Sequence, residues 1–410
     1  MERSRLAGFF GMGLAAATPG AAAGGCGCPP VEIRQVTTRR DLGRFVTMPW
    51  RIYRGDPQWV PPLLIDVKEF LDRRKHPFYR HGEAAQFLAL SQGEAVGRIL
   101  ASDDPRYNQK HGSNVGCFGM FESVDEQPVA HALLDAAAAW LRARGRAAII
   151  GPIDYSINYN CGLLVDGFHT PPRFMMNHNP PYYAPLLESW GLTKVKDLYG
   201  WWFVDKTPAL SKWRSRVGRL AERCGVVIRP FSRAHFEEEV RKCQAVYCAS
   251  RQDQWGFIDL TEAEFLYFAE RLNRVGIPEL VLTAEVDGRP VGFALSMPDI
   301  NEAIRPLNGR LTTCGIPLGL CRFLYRLRRV KTARMLVLGV LEGYRRRGIG
   351  ELLILKSIDH AMGVIGYRGA ELSWTLEDNQ VINRTIESVG GQRYKTYRIY
   401  GKPLSANVAP

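Results

Sequence analysis

The chain has 410 residues, 46% of them apolar and 23% charged, which is the composition of a globular protein long enough for two domains with separate cores. Its formal charge of +13 points to anionic partners, yet no zinc-finger, helix-turn-helix or RNA-binding signature accompanies it, so a nucleic-acid function is not expected. Nine cysteines, an odd number without framework spacing, argue against a disulfide scaffold and a zinc site, and no metal is expected.

Residues 1–30 differ from the rest: Arg3 and Arg5 precede an apolar run interrupted by glycines, then small residues as far as Pro29 and Pro30. A leader, a disordered Ala/Gly extension and a translation start placed too early all fit this pattern, and the interrupting glycines favour the extension. Elsewhere no apolar run approaches the ~18 residues a membrane span needs, so no transmembrane segment is expected. From Val31 the pattern is α/β. Val31–Val36 reads as a strand, and Thr38 can cap a helix whose Leu42, Phe45 and Val46 follow helical spacing. Prolines 49, 57, 61 and 62 break up a loop-rich stretch holding Trp50, Tyr53 and Trp59. Gln86–Leu90 and Val96–Leu100 form a hairpin around Gln92-Gly93, Val115–Phe121 is a strand, Val129–Arg144 a helix and Ala147–Ile150 a short buried strand. Clusters at Tyr159–Gly162, Asp166 and Asn177–Tyr183 read as loop and core features.

The second half repeats this plan. Leu280–Val286 and Val291–Leu295 flank Asp287-Gly288 as an equivalent hairpin. Gly93-Glu-Ala-Val-Gly97 matches Gly288-Arg-Pro-Val-Gly292, and Glu188-Ser-Trp-Gly191 matches Glu387-Ser-Val-Gly390. Two matches in one order, at similar offsets, argue for a duplication with its boundary near residues 206–225. Arg322–Lys331 reads as an amphipathic helix with a basic face.

The halves differ at one turn. In the second, the apolar strand Met335–Leu341 runs into Arg345-Arg-Arg-Gly-Ile-Gly350 and a helix opening with Glu351. Glycines that allow close backbone approach, a helix N-terminus and three arginines together suit a phosphate. No Gly-Lys-Ser/Thr follows, so this is not a Walker loop, and the glycine spacing is not that of a dinucleotide fold. The first half carries Glu122, Asp125 and Glu126 at the corresponding helix start; these suit capping and would repel pyrophosphate.

The turn resembles the acetyl-coenzyme A loop of the GNAT superfamily, Gln/Arg-x-x-Gly-x-Gly/Ala. A second GNAT signature, Asn-x-x-Ala-x-x-Leu-Tyr-Glu-x-x-Gly-Phe, is matched in part by Asn379–Gly391, where Asn379, Glu387 and Gly390 agree, Ile382 replaces Ala and Ile386 stands at the tyrosine. The resemblance implies two GNAT-like domains, each a mixed, mostly antiparallel twisted sheet flanked by helices: a degenerate one at 31–205, and one over 226–405 that binds acetyl-CoA as acyl donor. The implied reaction is transfer of the acetyl group to an amine of a small molecule or peptide, in the cytoplasm. Leu338, Gly339 and Val340 would pair with the pantetheine arm. Arg345, Arg346, Arg347, Gly348, Ile349, Gly350 and Glu351 would surround the pyrophosphate, with Asn379 and Asn383 near the arm. Because Ile386 cannot protonate a thiolate, Tyr394, Tyr397 or water is the substitute acid. Glu342 is the candidate base and Asn379 a candidate on the attacking side. A non-catalytic acyl-CoA-binding module and a basic protein of nucleic acid or membrane surfaces are the competing readings; the oligomeric state is open.

Overall fold

The computed structural model describes residues 30–204, 210–217, 225–312 and 315–404. The extension expected over residues 1–30 lies outside this set up to residue 29, as do 206–209 and 218–224 of the expected linker.

Thirteen strands form one sheet: β1 (Val31–Gln35), β2 (Glu83–Ser91), β3 (Glu94–Asp103), β4 (Val115–Ser123), β5 (Ala148–Gly151), β6 (Leu163–Asp166), β7 (Thr193–Val204), β8 (Val227–Pro230), β9 (Val281–Val286), β10 (Arg289–Pro298), β11 (Thr332–Val340), β12 (Gly369–Leu376) and β13 (Gln392–Pro403). Six helices matter below: α1 (Gln127–Arg142), α2 (Phe236–Ser250), α3 (Glu262–Asn273), α4 (Leu318–Leu327), α5 (Ile349–Ile358) and α6 (Gln380–Val389). Local signals act as expected. The Thr38 hydroxyl accepts from the Asp41 N–H at 3.1 Å, and the two hairpins turn on Gln92-Gly93 and Asp287-Gly288, all four residues at positive φ.

The duplication is visible in the strand ladder. In each half an antiparallel run ends in one parallel pair, β4 with β5 and β11 with β12. A parallel pair needs a crossover, and α1 and α5 supply it. Leu133, Leu134 and Leu141 of α1 are fully buried against the first half's sheet, each contributing about 1.5–3 kcal/mol.

The halves also exchange their last strands. The sheet order runs β5-β13-β7-β12, so β13 sits against the first half and β7 against the second. Trp201 and Phe203 of β7 belong to the core that holds Leu352 and Ile354 of α5, while Tyr400 of β13 belongs to the core of α1. Neither half keeps its hydrophobic centre without the other's strand.

One expectation at the first half's helix start is corrected. Asp125 and Glu126 are exposed and no side chain caps α1. Glu122 turns inward, accepting from the hydroxyls of Tyr53 (2.9 Å) and Tyr183 (2.7 Å) beside Arg98 at 3.5 Å. Burial pushes its carboxyl upward, against the opposing pull of Arg98. The residue anchors the Pro49–Pro62 segment through Tyr53.

Candidate functional site

Strand β11 is paired with β10 from Ala333 to Val340, with one bulge at Leu336, but with β12 only from Thr332/Gly369 to Met335/Leu372. The gap opens where β12 carries a register shift against β7, between Leu372 and Thr375. From Leu336 to Val340 the second edge of β11 is unmatched by a strand. The carbonyl of Leu338 accepts from Arg251 Nη1 at 3.4 Å and that of Val340 from Arg345 Nε at 3.3 Å, so both face the gap. A residue's N–H and C=O project to one side of a strand, which turns the amides of Leu338 and Val340 into the gap as well, while Leu336 is the extra residue of a bulge against β10. A Cβ at Gly339 would stand 2.6 Å from Ser250 Oγ at the end of α2, so glycine lets α2 approach the strand closely without turning that hydroxyl aside.

Beyond β11, Glu342–Arg347 form one 3₁₀ segment, and Gly348 takes φ +77°, a left-handed conformation that glycine adopts without strain. The helix α5 starts at once. Its first helical bond is Leu352 N–H to Gly348 O at 3.0 Å, and no side chain caps it. The amides of Ile349, Gly350 and Glu351 therefore open outward at the positive end of the helix dipole. A Cβ on Gly350 would come no nearer than 3.8 Å, to Val340, so this glycine leaves room instead of relieving a clash. The three arginines do not act alike. Arg345 is turned back, with Nη2 on Ser250 O at 2.8 Å, and braces the turn against α2. Arg346 is exposed; Arg347 is exposed and lies over the Tyr344 ring at 4.7 Å.

Two clefts meet at the gap and share Asn158, Met175, Tyr247, Leu336 and Val337 as a common wall. One is an apolar, half-open cleft spanning about 940 Å³ with its open solvent included; its walls are α2, α3 and the faces of β10 and β11, with Val240, Phe265, Ala269, Leu272, Phe293 and Val337 among them. The other, about 610 Å³, is polar and lies between Arg251, Gln254, Arg334, Ser373 and the first-half loop Ile157–Tyr159. That loop, whose Tyr159 reads in the sequence as a loop and core feature, and Met175 are the first half's contributions to the clefts. Tyr247 spans both clefts, its hydroxyl donating to Asn158 Oδ1 at 2.6 Å, and burial raises it to about 12.

Behind the polar cleft lies a buried ionic cluster that motif reading did not find. Glu371 has no exposed surface and accepts from the hydroxyls of Ser373 and Tyr394. Arg334 Nε stands 3.6 Å from its carboxylate and 3.0 Å from Ser373 Oγ, and Nη1 reaches the Phe174 carbonyl. Burial lowers the Arg334 guanidinium from its ordinary value, with Glu371 opposing. Tyr394 is held well above the usual phenol range, by burial first and by Glu371 second. Lys395 donates to Gly167 and Thr170 carbonyls, both at 2.8 Å, and burial brings it down to about 8. Of these groups only Ser373 and Arg334 reach the cleft.

The remaining candidates lie apart. Glu342 is exposed at the far end of β11 and lines neither cleft. Asn379 is the N-cap of α6, accepting from Ile382 N–H at 3.4 Å. Asn383 is buried, its Nδ2 donating to the Leu376 carbonyl at 3.0 Å while Oδ1 has no partner. Ile386 is packed in the core and Tyr397 is fully buried. Among the described residues no cluster of His, Cys, Asp and Glu could hold a metal ion, and no helix is long and apolar enough to cross a membrane.

Residues 244–390 match the Acetyltransferase (GNAT) family. Over 381 residues the chain is 36% identical to Protein YghO of Escherichia coli (strain K12), covering 91% of this chain and 95% of that protein. It is 37% identical over 381 residues to the Bacterial ceramide synthase of Caulobacter vibrioides (strain NA1000 / CB15N), covering 91% and 98%. Among solved structures, a tandem GNAT protein from the clavulanic acid biosynthesis pathway superposes with a TM-score of 0.54 at 13% identity, covering 92% of this chain and 99% of that one. A GCN5-related N-acetyltransferase from Sphaerobacter thermophilus gives 0.52 at 16% identity, covering 92% and 97%.

Proposed function

The chain belongs to the GNAT family of acyltransferases, and from that premise we propose that it transfers a long acyl chain from acyl-coenzyme A to the amine of a long-chain amino alcohol. The observation that carries this reading is the apolar cleft beside the unpaired edge of β11. An acetyl group has two carbons and needs no apolar wall of this extent, whereas a fatty chain gains free energy with each methylene it buries, about 0.8 kcal/mol apiece. The relative named as a ceramide synthase supports it, since a ceramide is the amide of a fatty acid and a long-chain amino alcohol.

In this reading the outward amides of Ile349, Gly350 and Glu351, with Arg346 and Arg347, receive the coenzyme's phosphates. The amides of Leu338 and Val340 pair with the pantetheine arm as an added strand would, Arg251 releasing the Leu338 carbonyl. The acceptor enters by the polar cleft. The ammonium first gives up a proton, and the free amine then attacks the thioester carbonyl. The C–N bond forms, the C–S bond breaks, and coenzyme A leaves as a thiolate that is neutralised by the second nitrogen proton, directly or through water. We place the proton acceptor at Ser373 backed by Glu371, since Glu342 lines neither cleft. Tyr394 already commits its proton to Glu371. Acyl-coenzyme A is an intracellular donor, which puts the reaction on the cytoplasmic side.

The test is direct. Purified protein is given palmitoyl-CoA or acetyl-CoA with sphinganine, and free thiol and amide are measured. Preference for the long donor by about tenfold or more in kcat/KM is expected, since even one methylene in an apolar pocket is worth about tenfold. Gly348→Asp sets a side chain and a negative charge against phosphate, so it should abolish coenzyme binding while lowering stability only by the about 1–2 kcal/mol that a side chain costs at this positive φ. Equal use of both donors, or tight binding without amide, would defeat the proposal.

A further inference from the structure

The segment 316–331 presents a surface that the fold leaves uncovered. Of the ten exposed large apolar side chains among the described residues, five fall here: Ile316, Leu318, Leu320, Leu324 and Tyr325. In α4 only Phe323 is buried, with Leu327 partly so; Leu320 and Leu324, one turn apart on the flank of that stripe, are 41% and 52% exposed. The apolar stripe of the helix is thus wider than the part the core accepts. Along the segment itself the charge has one sign, and the neighbouring Glu302 carboxylate is taken up by the Lys331 amide and the Thr332 hydroxyl. Between Glu302 and Glu342 the sequence has no acidic residue and eight basic ones, of which Arg310, Arg322, Arg326, Arg328, Arg329 and Lys331 are exposed. A solvated helix face usually mixes both signs; exposed apolar side chains on a segment whose own charges are all basic describe a helix lying in the headgroup layer of an anionic bilayer.

We propose that α4 and its flanks dock this protein on an anionic phospholipid surface, with Leu320, Leu324 and Tyr325 inserted and the arginines on lipid phosphates. The choice of lipid over another polyanion rests on the proposed function, whose two long-chain substrates reside in membranes. The placement agrees with it: Phe323 anchors α4 in the core against which Ile277, a wall residue of the apolar cleft, also packs. A bilayer at α4 would stand next to the body that holds the chain.

Co-sedimentation of the full chain with phosphatidylcholine vesicles, with and without phosphatidylglycerol, tests this without any acyl transfer. Binding should require the anionic lipid and weaken as salt rises. Leu320→Asp/Leu324→Asp should lower the partition coefficient about tenfold or more, because apolar insertion and headgroup attraction contribute together. Arg322→Gln/Arg326→Gln/Arg329→Gln should do the same for anionic vesicles, both variants keeping the wild-type melting temperature. Activity on a short-chain, water-soluble amine should be unchanged in both variants. Binding by the double aspartate variant equal to wild type, or attachment to a DNA duplex that survives the loss of both leucines, would overturn the proposal and make the face a general polyanion or protein contact. Vesicle binding without any acyl transfer would sink the functional reading alone.

Discussion

Ser373 is the residue on which the proposed chemistry turns. It lines the polar cleft, donates to the one fully buried glutamate of the cluster, and is held from the other side by Arg334 at 3.0 Å. A hydroxyl so placed can take a proton from an ammonium and pass its own to Glu371 in one relay, and positioned acid–base groups of this kind contribute about 10²–10⁴ in rate. Ser373→Ala should therefore lower the plateau of the pH–kcat profile by about a hundredfold, leaving KM for acyl-coenzyme A and the melting temperature close to wild type. An unchanged plateau would assign the cluster to structure alone. Glu371→Gln should show the same kinetic loss together with lower stability, since it leaves Arg334 buried without its counter-charge. In the sequence this pair lay inside an ordinary strand pattern. Residues 371 and 373 share one face of a strand, and a carboxylate in an apolar strand was the available signal; its significance depends on burial, which only the fold supplies.

At the scale of elements, the decisive feature is the divergence of β11 and β12 after Met335 and Leu372. The loop that follows was legible because glycine and arginine punctuate it at fixed spacing, and the two hairpins because Gln92-Gly93 and Asp287-Gly288 accept positive φ. The apolar cleft was not legible. Val240, Phe265 and Leu272 carry the same apolar signature whether their helices close on a core or stand off from one. The exchange of β7 and β13 was equally hidden, because a strand's pattern sets which face is buried and not which neighbour pairs with its edge. The cleft makes its own prediction. Ala269 of α3 is a partly buried wall residue, so a tryptophan there would fill space without displacing the core. Ala269→Trp should shift the preferred acyl donor to a shorter chain, raising KM for palmitoyl-CoA about tenfold with octanoyl-CoA little affected, as competition assays across chain length would read. A uniform loss on all donors would mean that the chain binds elsewhere.

The whole molecule is bound across its halves by more than exchanged strands. Glu264 of α3 accepts from the Tyr159 hydroxyl at 3.1 Å and lies 3.2 Å from His81 Nε2, with Arg106 at 3.7 Å; His81 Nδ1 is 3.3 Å from Asp104. Three first-half residues thus converge on one second-half carboxylate, and Tyr159 is also a wall of the polar cleft. Burial alone would lower His81, but the bonds to Asp104 and Glu264 outweigh it and raise the imidazolium to about 9. A folded-state value above the unfolded one, about 6.5, means that the charged form stabilises the fold. That contribution is complete below about pH 6.5 and is lost as pH rises through about 9. Lys395 works in the opposite sense, because burial brings it down to about 8, so stability from that residue increases as the solution becomes alkaline. The His81 effect must therefore be read as a difference. Urea unfolding of wild type and His81→Gln should show the gap between them shrinking by on the order of 2 kcal/mol from pH 6.5 to pH 9.5, partial exposure having been allowed for. Because the same cluster positions Tyr159, the wild type should also lose affinity for the amine acceptor over that interval while coenzyme binding at the Gly348 turn stays constant. A gap independent of pH would show that the junction is held by packing and strand exchange, with the ion cluster contributing nothing.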